Sequence, residues 1–460
     1  MIRFAFAFAL LPSLALATPM YAAKAGKGCA TCHIEPTGWD NPALADRKCT
    51  LDCSGCHVSS TGGGMRKPAG EFFGKEDVPM LGHRPSTDGG PEKYRDEGDQ
   101  TKPGRFRVWE GFSGWAEGTH PLEDVKDRFG KIDPHPGWDI GGDFRFMGYF
   151  PKDDDSAFFP MQTDVYGMYQ VAPKLALYGT AGYLGRLRRE PGNLVVKFSL
   201  EEPTGEDVAD AAEDDKEVES LKNLIAMREL FVIAEDLPYS AYVRAGRFNK
   251  PHGWRVPDHT TFTRRGMGFD QNSQVFGVEA GINPNFPFGN LAIFYQGSDD
   301  WPGDFIPKGY GAAFTGGYRG LLGQVGLSLE RVRYEDLFLG EPGDQTIVGP
   351  IWAVNAYPVV YLGELDVMQM EPDIAGGDPT RLMFAYHELN VDLPLGLVGI
   401  LKYDWMDANI DEKDDNTDRY TLGVEWNPYT HVQVLAEWRK TYLAKKESAE
   451  DVLVMTHLWF

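Results

Sequence analysis

The chain is 460 residues long and rich in Gly (53), Phe (27), Tyr (20) and Trp (11), and its 45 basic and 68 acidic residues leave a formal charge of −23. That charge excludes nucleic acid as a partner, because phosphates would be repelled, and the Gly and aromatic content favours strands and interfacial side chains over helices. Beyond the N-terminal leader no run approaches 18 consecutive apolar residues, so a helical membrane protein is excluded; a transmembrane β-barrel is not, since its strands alternate and escape hydropathy scans.

The first 23 residues read as a secretory signal peptide: Arg3, a mostly apolar run from Phe4 to Ala17, then small residues. Cleavage after Ala17, Ala23 or Ala25 fits equally well. The apolar run is shorter than the roughly 20 residues that span a bilayer as a helix, so the mature chain is expected to leave the cytoplasm.

All 5 cysteines lie between Cys29 and Cys56. Cys29-Ala30-Thr31-Cys32-His33 and Cys53-Ser54-Gly55-Cys56-His57 both have the Cys-x-x-Cys-His order of c-type haem attachment. Two thiols at this spacing each form a thioether to one porphyrin edge, and the following His is placed under the ring as proximal iron ligand. Two haem c groups are therefore expected, on Cys29, Cys32 and His33 and on Cys53, Cys56 and His57. Zinc or disulfides would account for Cys-x-x-Cys pairs, but not for the His that follows both. Cys49 is left without a partner of its own.

A six-coordinate iron needs a second axial ligand, usually His or Met. His83 in "MLGHRP" is the first candidate distal ligand and Met80 its rival. Met65 and the remaining histidines (His120, His135, His252, His259, His387, His431 and His457) complete the set. Residues 24–136 are read as a small, irregular or partly α dihaem domain and its linker, because the porphyrins supply much of its core. The stretch from Arg84 to Gly104 has almost no apolar residue and reads as linker or surface wrap.

From residue 137 to 460 a different grammar begins, with alternating runs of about 8–12 residues. Pairs of strands flank Ala172-Pro173, Leu237-Pro238, Asn283 to Gly289, Leu393-Pro394 and Asn427-Pro428. The intervening connections are polar and often acidic: "PKDDDSAFFP", "SDDWPGDFIPKGYG", "GEPGDQ", "NIDEKDDNTD" and "KKESAED". The longest runs from about Arg186 to Arg228 and carries 10 acidic residues and 1 Lys between Glu201 and Glu219. Tight turns alternating with long loops are the pattern of a transmembrane barrel.

One connection is unusually basic. Gly246 to Arg265 gathers Arg247, Arg255, Arg264 and Arg265 with His252 and His259. Folded inward it could meet haem propionates or another anion; folded outward, the acidic loops or lipopolysaccharide; simple loop packing is equally open.

In the closing "DVLVMTHLWF", Val452, Val454, Thr456, Leu458 and Phe460 share one face at period two, as a lipid-facing strand requires. The other face carries Leu453, Met455, His457 and Trp459, with His457 a weaker distal-ligand candidate. The strand tally is 16, within two, and parity favours an even number. The fold class is therefore mainly β: a barrel of about 16 strands in the outer membrane, preceded by the dihaem domain.

Haem motifs and barrel together resemble the fused outer-membrane cytochrome–porins linked to extracellular electron transfer, including iron-oxidising members. The likeness covers the general plan of the mature chain, with a second haem motif as a departure from the single-haem iron oxidases. It implies a conduit carrying electrons between periplasm and exterior, with activity toward iron, as metal oxidase or reductase. The implied partners are outer-membrane lipid, a periplasmic cytochrome carrier and an extracellular metal, mineral or cytochrome. The haem domain is expected on the periplasmic side or inside the barrel, and acidic loops could concentrate cations such as ferrous iron. Two other readings stay open: a porin sheath or docking partner for a separate multihaem cytochrome, and a barrel-anchored haem redox enzyme or sensor.

Overall fold

A computed structural model describes residues 57–59, 62–67 and 137–459, apart from 184–224 and short stretches of other connections. Its body is one closed antiparallel barrel of 16 strands. The first half comprises β1 (Gly137–Pro151), β2 (Ala157–Ala172), β3 (Leu175–Tyr183), β4 (Ile225–Leu237), β5 (Ala241–Phe248), β6 (Val275–Ile282), β7 (Pro287–Gln296) and β8 (Gly309–Arg319). The second comprises β9 (Gly323–Phe338), β10 (Glu341–Ala356), β11 (Val359–Pro372), β12 (Thr380–Leu393), β13 (Leu397–Asp407), β14 (Asn416–Tyr429), β15 (Val432–Tyr442) and β16 (Ser448–Trp459).

Each strand pairs with its sequence neighbours, and β1 closes the ring on β16, with Asp143 opposite Trp459 and Pro151 opposite Asp451. Closure matters in a membrane because an open edge would leave backbone N–H and C=O groups unpaired in hydrocarbon. The end of β16 is tied a second time: the Trp459 N–H donates to the His431 carbonyl at 3.2 Å, across the β14–β15 turn.

The alternation of the sequence becomes two walls. Leu291, Ile293, Leu327, Leu329, Leu401 and Leu422 are exposed on the outside, where lipid would cover them. Inward neighbours such as Asn290, Ser328, Glu330, Lys402 and Thr421 are buried. In β16, Val452, Val454 and Leu458 point out while Leu453, Met455 and His457 point in. This is the facing expected of a lipid-contacting strand; Phe460 lies outside the described residues.

The tight turns at 173–174, 238–240, 357–358 and 430–431 all share the barrel end that carries both the start of β1 and the end of β16. Four boundaries differ from expectation. "GEPGDQ" is not a loop: Glu341 to Gln345 pair with β9 and β11. Strands of 16 residues rise roughly 40 Å even when tilted, more than the roughly 25 Å apolar band, so polar residues stay in the ladder beyond it. For the same reason β2 already starts at Ala157, inside "PKDDDSAFFP". The turn placed at Asn427-Pro428 falls three residues later, after a register slip between Trp426 and Tyr429 that accommodates the proline's missing N–H. Arg228, taken as the end of the long acidic connection, is instead an inward residue of β4, bonded to Asp164 at 2.7 Å.

Candidate functional site in the barrel lumen

A barrel of 16 strands is wide enough for an aqueous channel unless something fills it. Among the described residues, two chain segments lie inside this one.

The first is residues 57–67, the direct continuation of the second Cys-x-x-Cys-His. His57 and Arg66 form an antiparallel bridge, and the Val58 N–H donates to the Met65 carbonyl at 3.1 Å, making a short hairpin. Its apolar side chains, Val58 and Met65, are 1% and 2% exposed and join a cluster with Tyr166, Tyr178 and Phe231 on β2, β3 and β4. The hairpin is held on both flanks. Ser59 accepts from Arg244 at 3.3 Å, the Gly62 carbonyl accepts from Arg255 at 2.6 Å, and Lys67 pairs with Glu235. Arg66 stacks its guanidinium 4.9 Å above Trp459. Since Glu235 and Trp459 lie toward the end that carries the tight turns, His57 sits in the lumen toward that end.

His57 is a suitable iron ligand by its surroundings. Burial, with Arg66 and Arg255 nearby, lowers its pKa to about 4, so the imidazole is neutral at physiological pH and its lone pair is available. A haem iron would take its Nε2, leaving Nδ1 for a backbone group as in other iron-ligating histidines; the ring's backbone neighbours are Gly63 and Gly64. This donor fits a haem. Cys29, Cys32, His33, Cys53 and Cys56, together with His83 and Met80, lie outside the described residues.

The second segment is the basic connection, residues 249–274, which folds inward. Asp258 pairs with Arg439 at 2.9 Å and with Lys402 at 3.4 Å, and the Thr260 carbonyl accepts from Arg419 at 2.9 Å. Burial alone would raise the Asp258 pKa; Arg439, Lys402 and Arg419 outweigh it and hold the carboxyl well below the usual range. A π-helical turn, Phe262–Gly266, rests against β12 and β13, with Gly266 so close to Phe384 that a Cβ would lie 2.5 Å from its ring. The basic side chains therefore serve several ends: Arg255 holds the hairpin, while Lys250 donates to Glu330 at 2.8 Å.

The other described histidines are engaged elsewhere. His252 Nε2 stands 3.0 Å from Asp366. His387 points outward, stacked between Tyr361 and Tyr403 with centroids 6.0 and 6.1 Å away, so it cannot reach a lumenal group. His457 does face the lumen, but its ring nitrogens lie 2.8 Å from Asp143 and 3.0 Å from Gln433; as a distal ligand it would have to give one up. Met65 is a packing residue of the hairpin. His120, His135 and His259 lie outside the described residues.

Sequence reasoning missed the charges of the inner wall. Arg244 and Glu279, at 2.8 Å, are both fully buried, and Lys402 and Glu437 pair at 2.7 Å. The available signal was a charged residue recurring on one face of an alternating strand, as in "GELDV" with Glu364 and Asp366.

No family model and no curated protein matches this chain. Among solved structures it is similar to outer-membrane expressed OmpT of Vibrio cholerae, at 11% identity and TM-score 0.50, covering 70% of this chain and 97% of that one. A loop L8 deletion mutant of the same protein gives TM-score 0.51 at 11% identity, covering 70% and 99%. Pseudomonas putida OprB gives TM-score 0.50 at 10% identity, covering 73% and 97%. At these identities the likeness concerns the fold: a porin-like outer-membrane barrel.

Proposed function

We propose that this chain is an outer-membrane electron conduit, moving electrons between the periplasm and an extracellular donor or acceptor through two haem c groups. Cys29, Cys32 and His33 would hold one; Cys53, Cys56 and His57 the other. The observation that supports the reading is His57: the last residue of the second Cys-x-x-Cys-His run lies inside a closed barrel, where burial keeps its imidazole neutral.

When bound, each haem supplies a one-electron valence change at iron, so no nucleophile or acid–base catalyst is required of the chain. The chain's own contributions are placement and insulation. Val58 and Met65 anchor the hairpin against Tyr166, Tyr178 and Phe231 and keep water from its inner side. Arg66 and Arg255 set a positive environment around His57, which favours its neutral form and suits carboxylates such as propionates. His83, with Met80 as rival, is the proposed distal ligand. The tight-turn end is assigned to the periplasm, facing a cytochrome carrier, and the opposite end to an extracellular metal, mineral or cytochrome. In this role the chain is an electron-transfer protein acting as a metal oxidase or reductase, with iron the first substrate to test.

The porin-like fold favours a second reading, a sheath or docking partner for a separate multihaem cytochrome. The holoprotein in liposomes loaded with an electron acceptor separates the two. Turnover driven by an impermeant external reductant, and abolished in His33→Ala or His57→Ala, is expected of a conduit. If both haems are reduced promptly from one side and the internal acceptor is untouched, the chain is not a complete conduit and the sheath reading takes its place.

A further inference from the structure

Opposite the hairpin, the inward connection meets β11 at a second constellation that the electron-transfer reading does not use. Glu364 and Asp366 are two apart on one strand, so both carboxylates point into the lumen, at 2% and 0% exposure. The inward turn Pro251–Trp254 lays His252 between them. Among the described residues, the His252, Glu364 and Asp366 ligand atoms lie within 4.8 Å of one another.

Local structure builds this arrangement rather than leaving it to chance. Gly253 adopts φ +55°, and its Cα passes so close to Glu364 that a Cβ would stand 1.8 Å from Oε1; only glycine fits. The Trp254 N–H donates to Glu364 Oε2 at 3.0 Å, and the Trp254 indole N–H to the Gly363 carbonyl at 2.9 Å. His252 stacks on Phe269 with centroids 4.5 Å apart, which sets the plane of its ring. Second contacts of this kind orient ligands at metal sites.

The lone pairs do not balance. His252 Nδ1 and Asp366 Oδ2 are buried with no hydrogen-bond partner, although the His252 and Asp366 side chains are wholly inaccessible. Two carboxylates, buried and acting on each other, face one imidazole; of the cations nearby, Lys250 is bonded to Glu330. A divalent cation held by His252 Nε2 and the two carboxylates would supply the missing charge in place of the His252–Asp366 contact and could also engage Asp366 Oδ2. The spacing suits one: with metal–ligand bonds of about 2.1 Å, neighbouring ligand atoms stand about 3.0 Å apart and opposite ones about 4.2 Å. His252 Nε2 and Asp366 Oδ1 are 3.0 Å apart.

We propose that His252, Glu364 and Asp366 form a binding site for one divalent first-row transition-metal ion in the barrel lumen. One imidazole and two carboxylates select Fe²⁺, Mn²⁺ or Zn²⁺ over Ca²⁺ or Mg²⁺, which prefer all-oxygen sites, and over Cu⁺, which prefers sulfur. The ion would clamp the inward connection to the wall at β11. It is separate from the haem iron and does not depend on haem attachment.

The test uses the full-length protein purified from outer membranes, stripped with a chelator and titrated with Mn²⁺, followed by the loss of the free-ion paramagnetic resonance signal, and with Zn²⁺ by equilibrium dialysis. One tightly bound ion per chain is expected, with affinity at least 100-fold weaker in His252→Ala and in Glu364→Gln. Each variant is checked for an intact barrel by its heat-modifiable gel mobility. Replacing Glu213, Asp214 and Asp215 in the acidic connection should leave that ion in place. No bound ion, or affinity unchanged in both site variants, would overturn the proposal and reduce His252 and Asp366 to an ordinary buried pair.

Discussion

The two segments inside the barrel both pack against its wall but differ in how much charge holds them there. The hairpin 57–67 is seated mainly by apolar packing, with Val58 and Met65 pressed into a cluster from β2–β4. The inward connection packs as well, with Met267 and Phe269 in a cluster with Ile347, Met368 and Phe384, and it is pinned besides by charge, its Asp258 shared between Arg439 and Lys402 and its backbone caught by Arg419. Apolar contact is non-directional and tolerates small shifts. Buried ion pairs fix a register, because a displaced charge is left uncompensated. The connection is thus the precise scaffold of the lumen and the hairpin the docked element, with Arg255 bonded to the Gly62 carbonyl as the link between them.

The largest expected effect tests the charged half. Asp258→Asn leaves Lys402 and Arg439 sharing Glu437 as ion-pair partner, and should weaken docking of the connection by about 3 kcal/mol. Hydrogen exchange of residues 249–269 reads it; protection equal to the parent's would mean that charge does not hold the segment. The same carboxyl predicts a pH profile. Its folded pKa lies below the unfolded value of about 3.9, so its contribution is complete above that value and is lost only as pH falls through the folded one. Docking should be constant from pH 8 to 5 and weaken below about pH 4; release starting near pH 6 would point to a histidine instead.

The apolar half is probed by Met65→Ala, which removes a side chain 2% exposed in the cluster and should cost about 2–4 kcal/mol of hairpin seating. Exchange should rise in 57–67 while 249–269 keeps its protection. Equal loosening of both would mean that they dock as one unit. The smallest effect is expected on the outer rim, where Lys152 and Glu450 form an exposed pair at 3.1 Å. Lys152→Gln should leave the thermal midpoint of the barrel unchanged within error, and a clear drop would break the contrast between lumenal and surface charge.

Much of the barrel was legible in the chain itself. Alternation gave away the strands, and proline-containing turns marked five of the hairpins, because a strand's two faces meet different solvents and a turn must abandon the ladder. The boundaries that went astray, at Glu341–Gln345 and at Asn427-Pro428, are those where polar residues or a proline sit within a ladder that neighbours keep paired. The Cys-x-x-Cys-His pairs were legible for a chemical reason, since thioether spacing and an axial ligand are properties of a few consecutive residues.

What belongs to sequence alone, then, is whatever a short window carries: an apolar leader, two Cys-x-x-Cys-His runs, a strand period of two and, summed over the chain, a tally of 16 strands within two. Only the tertiary structure decided that the basic connection turns inward rather than outward, that residues 57–67 share the lumen with it, and that His252 meets Glu364 and Asp366 from more than 100 positions away. Those contacts depend on how a closed ring brings distant strands to one interior, where low dielectric makes every unpaired charge costly. No local pattern of residues encodes which charge across the barrel will answer it.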